Sequence, residues 1–187
     1  MPNAPIVFAS GQLLTDDVWA PQAVALGDER DLMFSDHTAD ETIAGMAARL
    51  LAEAPPRFHL LSHAMGGFTA FEVMRQAPER VLSLVLIATL APNDGPAQTE
   101  RRQGYIRLVE AGRFADVVEE RIPILVHPAR REDGPLLNLV RRMAAETGAA
   151  TFLRQQRAIM SRADSRPSTH RSHSMYWRCP LRLLMSR

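Results

Sequence analysis

The sequence predicts an α/β fold: a parallel sheet with flanking helices, followed by a helical cap. Short apolar runs alternate with helical patterns as far as about residue 90, the order expected of βαβ units. Those runs are apolar almost throughout rather than every second residue, as strands covered on both faces are. From residue 97 to 161 the strand pattern stops and amphipathic helices succeed one another.

Ile6-Val7-Phe8-Ala9-Ser10 is a buried-strand run stopped by Gly11, with a loop to Trp19 and a weaker strand expected over residues 30–34. Thr38-Ala39-Asp40-Glu41 has the form of a capping box. Ile43, Met46, Ala47, Leu50, Leu51 and Ala54 then follow at helical spacing until Pro55-Pro56 ends the helix. Residues 58–62 read as the third strand, which runs through His63-Ala64-Met65-Gly66-Gly67 into a helix stopped by Pro78. Residues 81–88 are the most strand-like segment, predicted to be central, covered on both faces and parallel to residues 58–62. Tyr105, Ile106 and Val109, then Val117, Val118 and Ile122, mark cap helices. The organisation is thus a core over 1–96, a cap over 97–161 and a tail over 162–187 with the composition of a disordered segment.

Composition excludes several function classes. At 46% apolar and 23% charged, a chain of 187 residues builds one ordinary globular domain. The 22 basic residues, all Arg, face 21 acids, so no global field recruits nucleic acid or an anionic membrane. The Arg-rich tail lacks the interleaved aromatics that stack on bases. No leader pattern opens the chain and no apolar run approaches the roughly 20 residues of a membrane helix, so a cytoplasmic location is expected. Cys179 is the single cysteine, which excludes an internal disulfide and argues for a reducing compartment and against structural zinc.

The chemistry-bearing segment is Phe58-His59-Leu60-Leu61-Ser62-His63-Ala64-Met65-Gly66-Gly67, an apolar strand entering a helix through a tight turn. It resembles the nucleophile elbow of the α/β-hydrolase fold family, in which a strained central residue needs small neighbours two positions to either side. Ser62 and Gly66 meet that need around Ala64, whereas centring the elbow on Ser62 would place bulky Leu60 in a flanking position. The nucleophile position therefore holds Ala64, which has no Oγ and cannot form an acyl-enzyme. His63 is expected to point away across the turn.

The resemblance extends over about residues 5–160, to small esterase-like and lactonase-like members. Ser10-Gly11-Gln12-Leu13-Leu14 is similar to the oxyanion loop, with Trp19-Ala20-Pro21-Gln22 after it, and residues 71–81 are similar to the elbow helix and return strand. It implies that the backbone N–H groups of Gln12 and Met65 form the oxyanion hole, which survives loss of a serine hydroxyl. It implies hydrolysis of a carboxylic ester or lactone as the parent activity, with no cofactor, and a small ester or carboxylate as the partner. Two readings stay open: an inherited fold without activity, or a pseudoenzyme that holds a small ligand without turnover.

The family's later acid and histidine have no recognisable counterpart. Arg178-Cys179-Pro180 is similar to the approach to the acid-bearing strand, but no acidic turn follows. Asp164 reads as a surface residue, His59 and His127 as structural, and the His170/His173 pair as tail rather than half a metal site. The Arg, Ser, Pro and His bias after residue 163 resembles a GC-rich coding region read out of frame, so a frameshift and an early stop are expected there.

Overall fold

The computed structural model describes residues 4–166 and the backbone of residues 178–179. The chain begins with β1 (Ile6–Ala9), buried at every position, and pairs it in parallel with β2 (Leu32–Phe34) on one side and β3 (Phe58–His63) on the other. β4 (Val81–Ile87) lies parallel to β3, and β5 (Arg178–Cys179) parallel to β4, giving the order β2-β1-β3-β4-β5. The expected pairing of residues 58–62 with 81–88 is present, with Leu60 beside Leu84 and Ser62 beside Leu86.

Between the strands run α1 (Ala20–Leu26), α2 (Ile43–Glu53) and α3 (Met65–Gln76). The loop expected from Gly11 to Trp19 contains a 3-10 turn, Asp16–Trp19, and leads into α1, which the sequence reading missed because its face carries Val24 exposed. α2 starts where predicted but is capped differently. The Thr42 hydroxyl accepts from the Gly45 N–H at 3.0 Å, while Thr38 belongs to an earlier turn in which its own N–H donates to Asp36. One core layer joins α2 and α3 to the sheet through Leu50, Phe58, Leu60, Val73 and Leu84. β4 is less enclosed than its composition predicts. Val81 and Leu84 are buried, but its other residues are half-buried, because β4 lies next to the end of the strand order with little on its outer flank among the described residues.

The cap comprises α4 (Pro96–Glu110), α5 (Phe114–Leu125) and α6 (Gly134–Met160). Asp133 caps α6 by accepting from the Leu136 N–H at 3.0 Å, and the helix is broken at Gly148, whose φ of 77° no ordinary helical residue adopts. The break gives α6 two partners. Its first half packs Val140 and Met143 on Ile122, and its second half carries Phe152 against Val117 and Tyr105 and then Ala158 and Ile159 against Met46, Met65 and Phe68. The cap is thus anchored directly on the elbow helix.

The tail does not begin at residue 162. Arg162 is buried over the Phe68 ring at 4.2 Å and pairs with Asp94 at 2.9 Å, and the Ser165 N–H donates to the Ala91 carbonyl. An Arg whose guanidinium lies over an aromatic ring and pairs with a buried carboxylate is structural, not solvated. Asp164 pairs with Arg166. Residues 167–177 and 180–187, with His170 and His173, lie outside the described residues. Among the described residues, no helix is long and apolar enough to cross a membrane.

Candidate functional site

The carboxyl ends of β1, β3 and β4 converge on one edge, and backbone strain concentrates there. Among the described residues, the non-glycine positions with positive φ are Leu13 (63°), in the loop after β1, and Ala64 (50°) and Ala88 (51°), directly beyond β3 and β4. Such conformations cost about 1–3 kcal/mol each and persist where surrounding contacts over-determine them.

At Ala64 those contacts are visible. Its φ/ψ of 50°/−110° turns the chain from β3 into α3, its N–H donates to the Ile87 carbonyl at 2.9 Å, and its carbonyl accepts from Thr89 Oγ1 at 2.8 Å. The two glycines after Met65 let neighbouring segments close in. A Cβ at Gly66 would overlap the Ala9 carbonyl, lying 2.5 Å from its carbon, and one at Gly67 would lie 2.5 Å from Thr89 Cβ. The strained turn between β3 and α3 falls at Ala64. Ser62 is fully buried within β3, its hydroxyl without a partner among the described residues, and cannot reach a substrate.

His63 is not carried clear of this region, contrary to the expectation from the turn. Strand alternation sends it to the face opposite Ser62, edge-on to Trp19 with ring centroids 6.4 Å apart. Its Nδ1 lies 2.9 Å, and the Ala64 methyl 3.2 Å, from where a Gly11 Cβ would stand, so Gly11 is wedged between them. Burial lowers the His63 pKa below its ordinary value, keeping the ring neutral. Trp19 Nε1 donates to Ser10 Oγ at 3.0 Å, tying the loop after β1 to the 3-10 turn.

Gln12 and Met65 are both buried, in the loop after β1 and at the first turn of α3. The Gln12 side chain enters a polar network beneath the cap. Its Oε1 accepts from Arg121 Nη1 of α5 at 2.9 Å and from Gln156 Nε2 of α6 at 3.5 Å. Gln156 in turn accepts from Arg102 of α4 at 3.0 Å, and Arg102 pairs with Asp94 at 2.5 Å. Burial would raise the Asp94 pKa, but hydrogen bonds from Arg162 and Arg102 hold it below the usual carboxylate range. Arg121 lies over the rings of Tyr105 and Phe152 at 5.8 and 5.7 Å, and burial brings its guanidinium down to about 10, still charged at neutral pH. None of Arg102, Arg121 and Gln156 was singled out from the sequence. The readable signal was a polar residue inside an apolar stripe: Arg121 one turn after Val117, Gln156 one turn after Phe152.

Ala64 lines neither of two cavities beside the cap. The larger, about 240 Å³, lies beyond β1 and β2 among Ser10, Asp16, Asp36, His37 and Glu146. The smaller, about 130 Å³, lies between α4 and α5. Asp16 is raised by its burial and by Asp17 and Asp36. His37 is buried and lowered to about 4, with Ser35 Oγ 3.1 Å from its Nε2 and Gln155 of α6 donating to its carbonyl at 3.2 Å.

No family model matches the sequence. It is 32% identical over 146 residues to the protein named "Putative carbamate hydrolase RutD" of Klebsiella pneumoniae (strain 342), covering 68% of this chain and 53% of that one. The chain spans about half the length of the curated relatives it matches. By structure it is similar to a thermophilic esterase of Thermogutta terrifontis, with a TM-score of 0.76 and 22% identity, covering 87% of this chain and 65% of that one. It is also similar to the enol-lactonase of Burkholderia xenovorans LB400, with a TM-score of 0.76 and 20% identity, covering 88% and 68%.

Proposed function

We propose that this chain, which belongs to the α/β-hydrolase fold family, holds the carbonyl of a carboxylic ester or lactone at its elbow without transferring the acyl group. The observation that carries this reading is Ala64, set at φ 50° between β3 and α3 with a methyl group where a nucleophilic hydroxyl would project. A methyl can neither attack a carbonyl nor exchange a proton with a base. The binding half of the reading rests on backbone. The N–H groups of Gln12 and Met65 are the donors assigned to the carbonyl oxygen, and a strained turn, held by Ile87 and Thr89, keeps its geometry without the hydroxyl. No cofactor enters this chemistry.

Ester and lactone are chosen as the ligand class because the similar structures are named an esterase and an enol-lactonase, and the relative is named a carbamate hydrolase. All three names describe attack on an acyl carbon.

Ala64→Ser tests the reading. A serine hydroxyl near neutral pH is a weak nucleophile unless a positioned histidine takes its proton. Among the described residues the nearest candidate, His63, is neutral but packed against Trp19 and Gly11. The wild-type chain is expected to hydrolyse p-nitrophenyl acetate no faster than buffer. Ala64→Ser is expected to add a trace without an acyl-enzyme burst, at most the 10³ to 10⁴ over water that binding and an oxyanion hole supply. Wild-type turnover at about 1 s⁻¹ or above would overturn the proposal.

A further inference from the structure

We propose that the small cavity between α4 and α5 is a carboxylate-binding site, so that the ligand held at the elbow is an ester or lactone bearing a second, ionised carboxylate. This rests on the reading that the elbow holds an ester carbonyl, and names the substrate class more closely. The cavity, about 130 Å³, is lined by three guanidinium-bearing residues, Arg101, Arg102 and Arg121, with Tyr105, Ile124 and Leu125. Its volume is several times the roughly 30 Å³ share of one water.

The charges around it do not balance. Among the described residues, Arg102 pairs with Asp94, but that carboxylate is shared with Arg162. Among the described residues, Arg101 and Arg121 have no acid within ion-pair distance. Glu120, the acid that acts on the Tyr105 phenol, is exposed and pairs with neither. Hydrogen bonding is unbalanced in the same direction. Gln12 Oε1 serves both Arg121 and Gln156, leaving Arg121 Nε and Gln12 Nε2 buried without an acceptor. A buried donor without an acceptor costs free energy that an anion supplying lone pairs would recover. A guanidinium fork matches a carboxylate's two oxygens, and Ile124, 63% exposed, with Leu125 offers an apolar wall for a short methylene arm.

Gln12 connects this cavity to the elbow. Its backbone belongs to the oxyanion loop and its side chain ends on Arg121. A ligand with a carboxylate beside Arg121 and an ester carbonyl toward Gln12 would span both. The larger cavity, with Asp16, Asp36 and Glu146, would repel the same anion.

The test is calorimetric titration of the full chain with monomethyl succinate, which carries one ester and one carboxylate, against dimethyl succinate and succinate. Monomethyl succinate is expected to bind at least tenfold more tightly than dimethyl succinate. Arg121→Gln and Arg101→Gln should each remove most of that difference. Arg101 is exposed and makes no ion pair among the described residues, so its variant keeps the test open if Arg121→Gln fails to fold. Equal affinity for the two esters, or monomethyl succinate binding that Arg101→Gln and a folded Arg121→Gln leave untouched, would overturn the carboxylate site and leave the ester reading standing. Arginine-dependent binding of succinate as tight as that of monomethyl succinate, with no binding of dimethyl succinate, would keep the anion site and remove the ester reading. No binding of any of the three would remove both.

Discussion

Glycine is used in opposite ways at the elbow and in the cap. At Gly66 a single added carbon would collide with the Ala9 backbone, and at Gly67 with Thr89, so three chain segments approach as closely as covalent geometry permits. In the cap, an added carbon at Gly95, Gly134 or Gly148 meets nothing within 4 Å. The elbow is therefore specified by sterics that are independent of the residue at its apex, while the cap is held by helix packing and a polar network. This difference explains how a site can keep its shape with Ala64 at its apex. The close approach of β1, the elbow turn and Thr89 requires the two glycines and takes nothing from a hydroxyl.

The largest expected effect would break that comparison directly. Gly66→Ala must push β1 away from α3 and should cost at least about 3 kcal/mol, the upper end of overpacking penalties. Gly134→Ala, at the first turn of α6, meets nothing within 4 Å and has no positive φ to strain, so it should change stability by no more than about 1 kcal/mol. Urea denaturation of the two variants measures both. Comparable losses would mean that the elbow's close approach is not what fixes it.

A second prediction concerns the seam between the regions, where His37 beyond β2 meets Gln155 of α6. Burial lowers the His37 pKa from 6.5 to about 4, against the raising influence of Asp36 and Asp40. The unfolded chain takes up a proton as pH falls through 6.5, whereas the native protein does so only near 4. Stability is thus fully present above pH 6.5 and falls between 6.5 and 4, by about 3 kcal/mol from this one group. His59 and His63, also lowered by burial, act in the same direction. Urea midpoints measured from pH 7.5 to 4 should fall steeply, and His37→Gln should remove the largest share of the slope. An unchanged slope in that variant would place the effect elsewhere.

The sequence made the elbow legible because its constraints are local. Strand period, turn and helix start lie within ten consecutive residues, and Ala64, Gly66 and Gly67 each need a neighbour only a strand away. The sheet order was equally accessible, since near-continuous apolar runs separated by helices leave few arrangements of parallel strands. The cap's contribution was not. Arg121 and Gln12 are 109 residues apart and Gln12 and Gln156 144 apart, and nothing in their local sequence says which face of which helix will meet the loop after β1. The helix start at Thr42 was misassigned to Thr38 for a related reason. Both threonines precede acidic or apolar periodic residues, and the choice was made by Asp36, which took the Thr38 N–H for its own turn.

The smallest expected effect sharpens the comparison at Ala64 itself. In an enzyme with a nucleophile at the elbow, backbone strain there serves to project the reacting atom. Here the strain remains at φ 50°, ψ −110°, with a methyl group that gains nothing from projection. Ala64→Gly removes the steric conflict between Cβ and backbone, worth about 1–3 kcal/mol. The substitution also makes the unfolded chain more flexible, which costs about 0.4–1 kcal/mol. The hydrogen bonds from the Ala64 N–H to Ile87 and from Thr89 to the Ala64 carbonyl involve backbone atoms and survive the change. The net result should be a stabilisation of about 1 kcal/mol, read as a higher urea midpoint with an unchanged denaturant slope. Neighbouring Gly67→Ala should move the midpoint the other way, because its new carbon meets Thr89. If Ala64→Gly instead lowers the midpoint, the turn is not strained at that residue, and the methyl group contributes packing against Gly11 that outweighs the backbone cost.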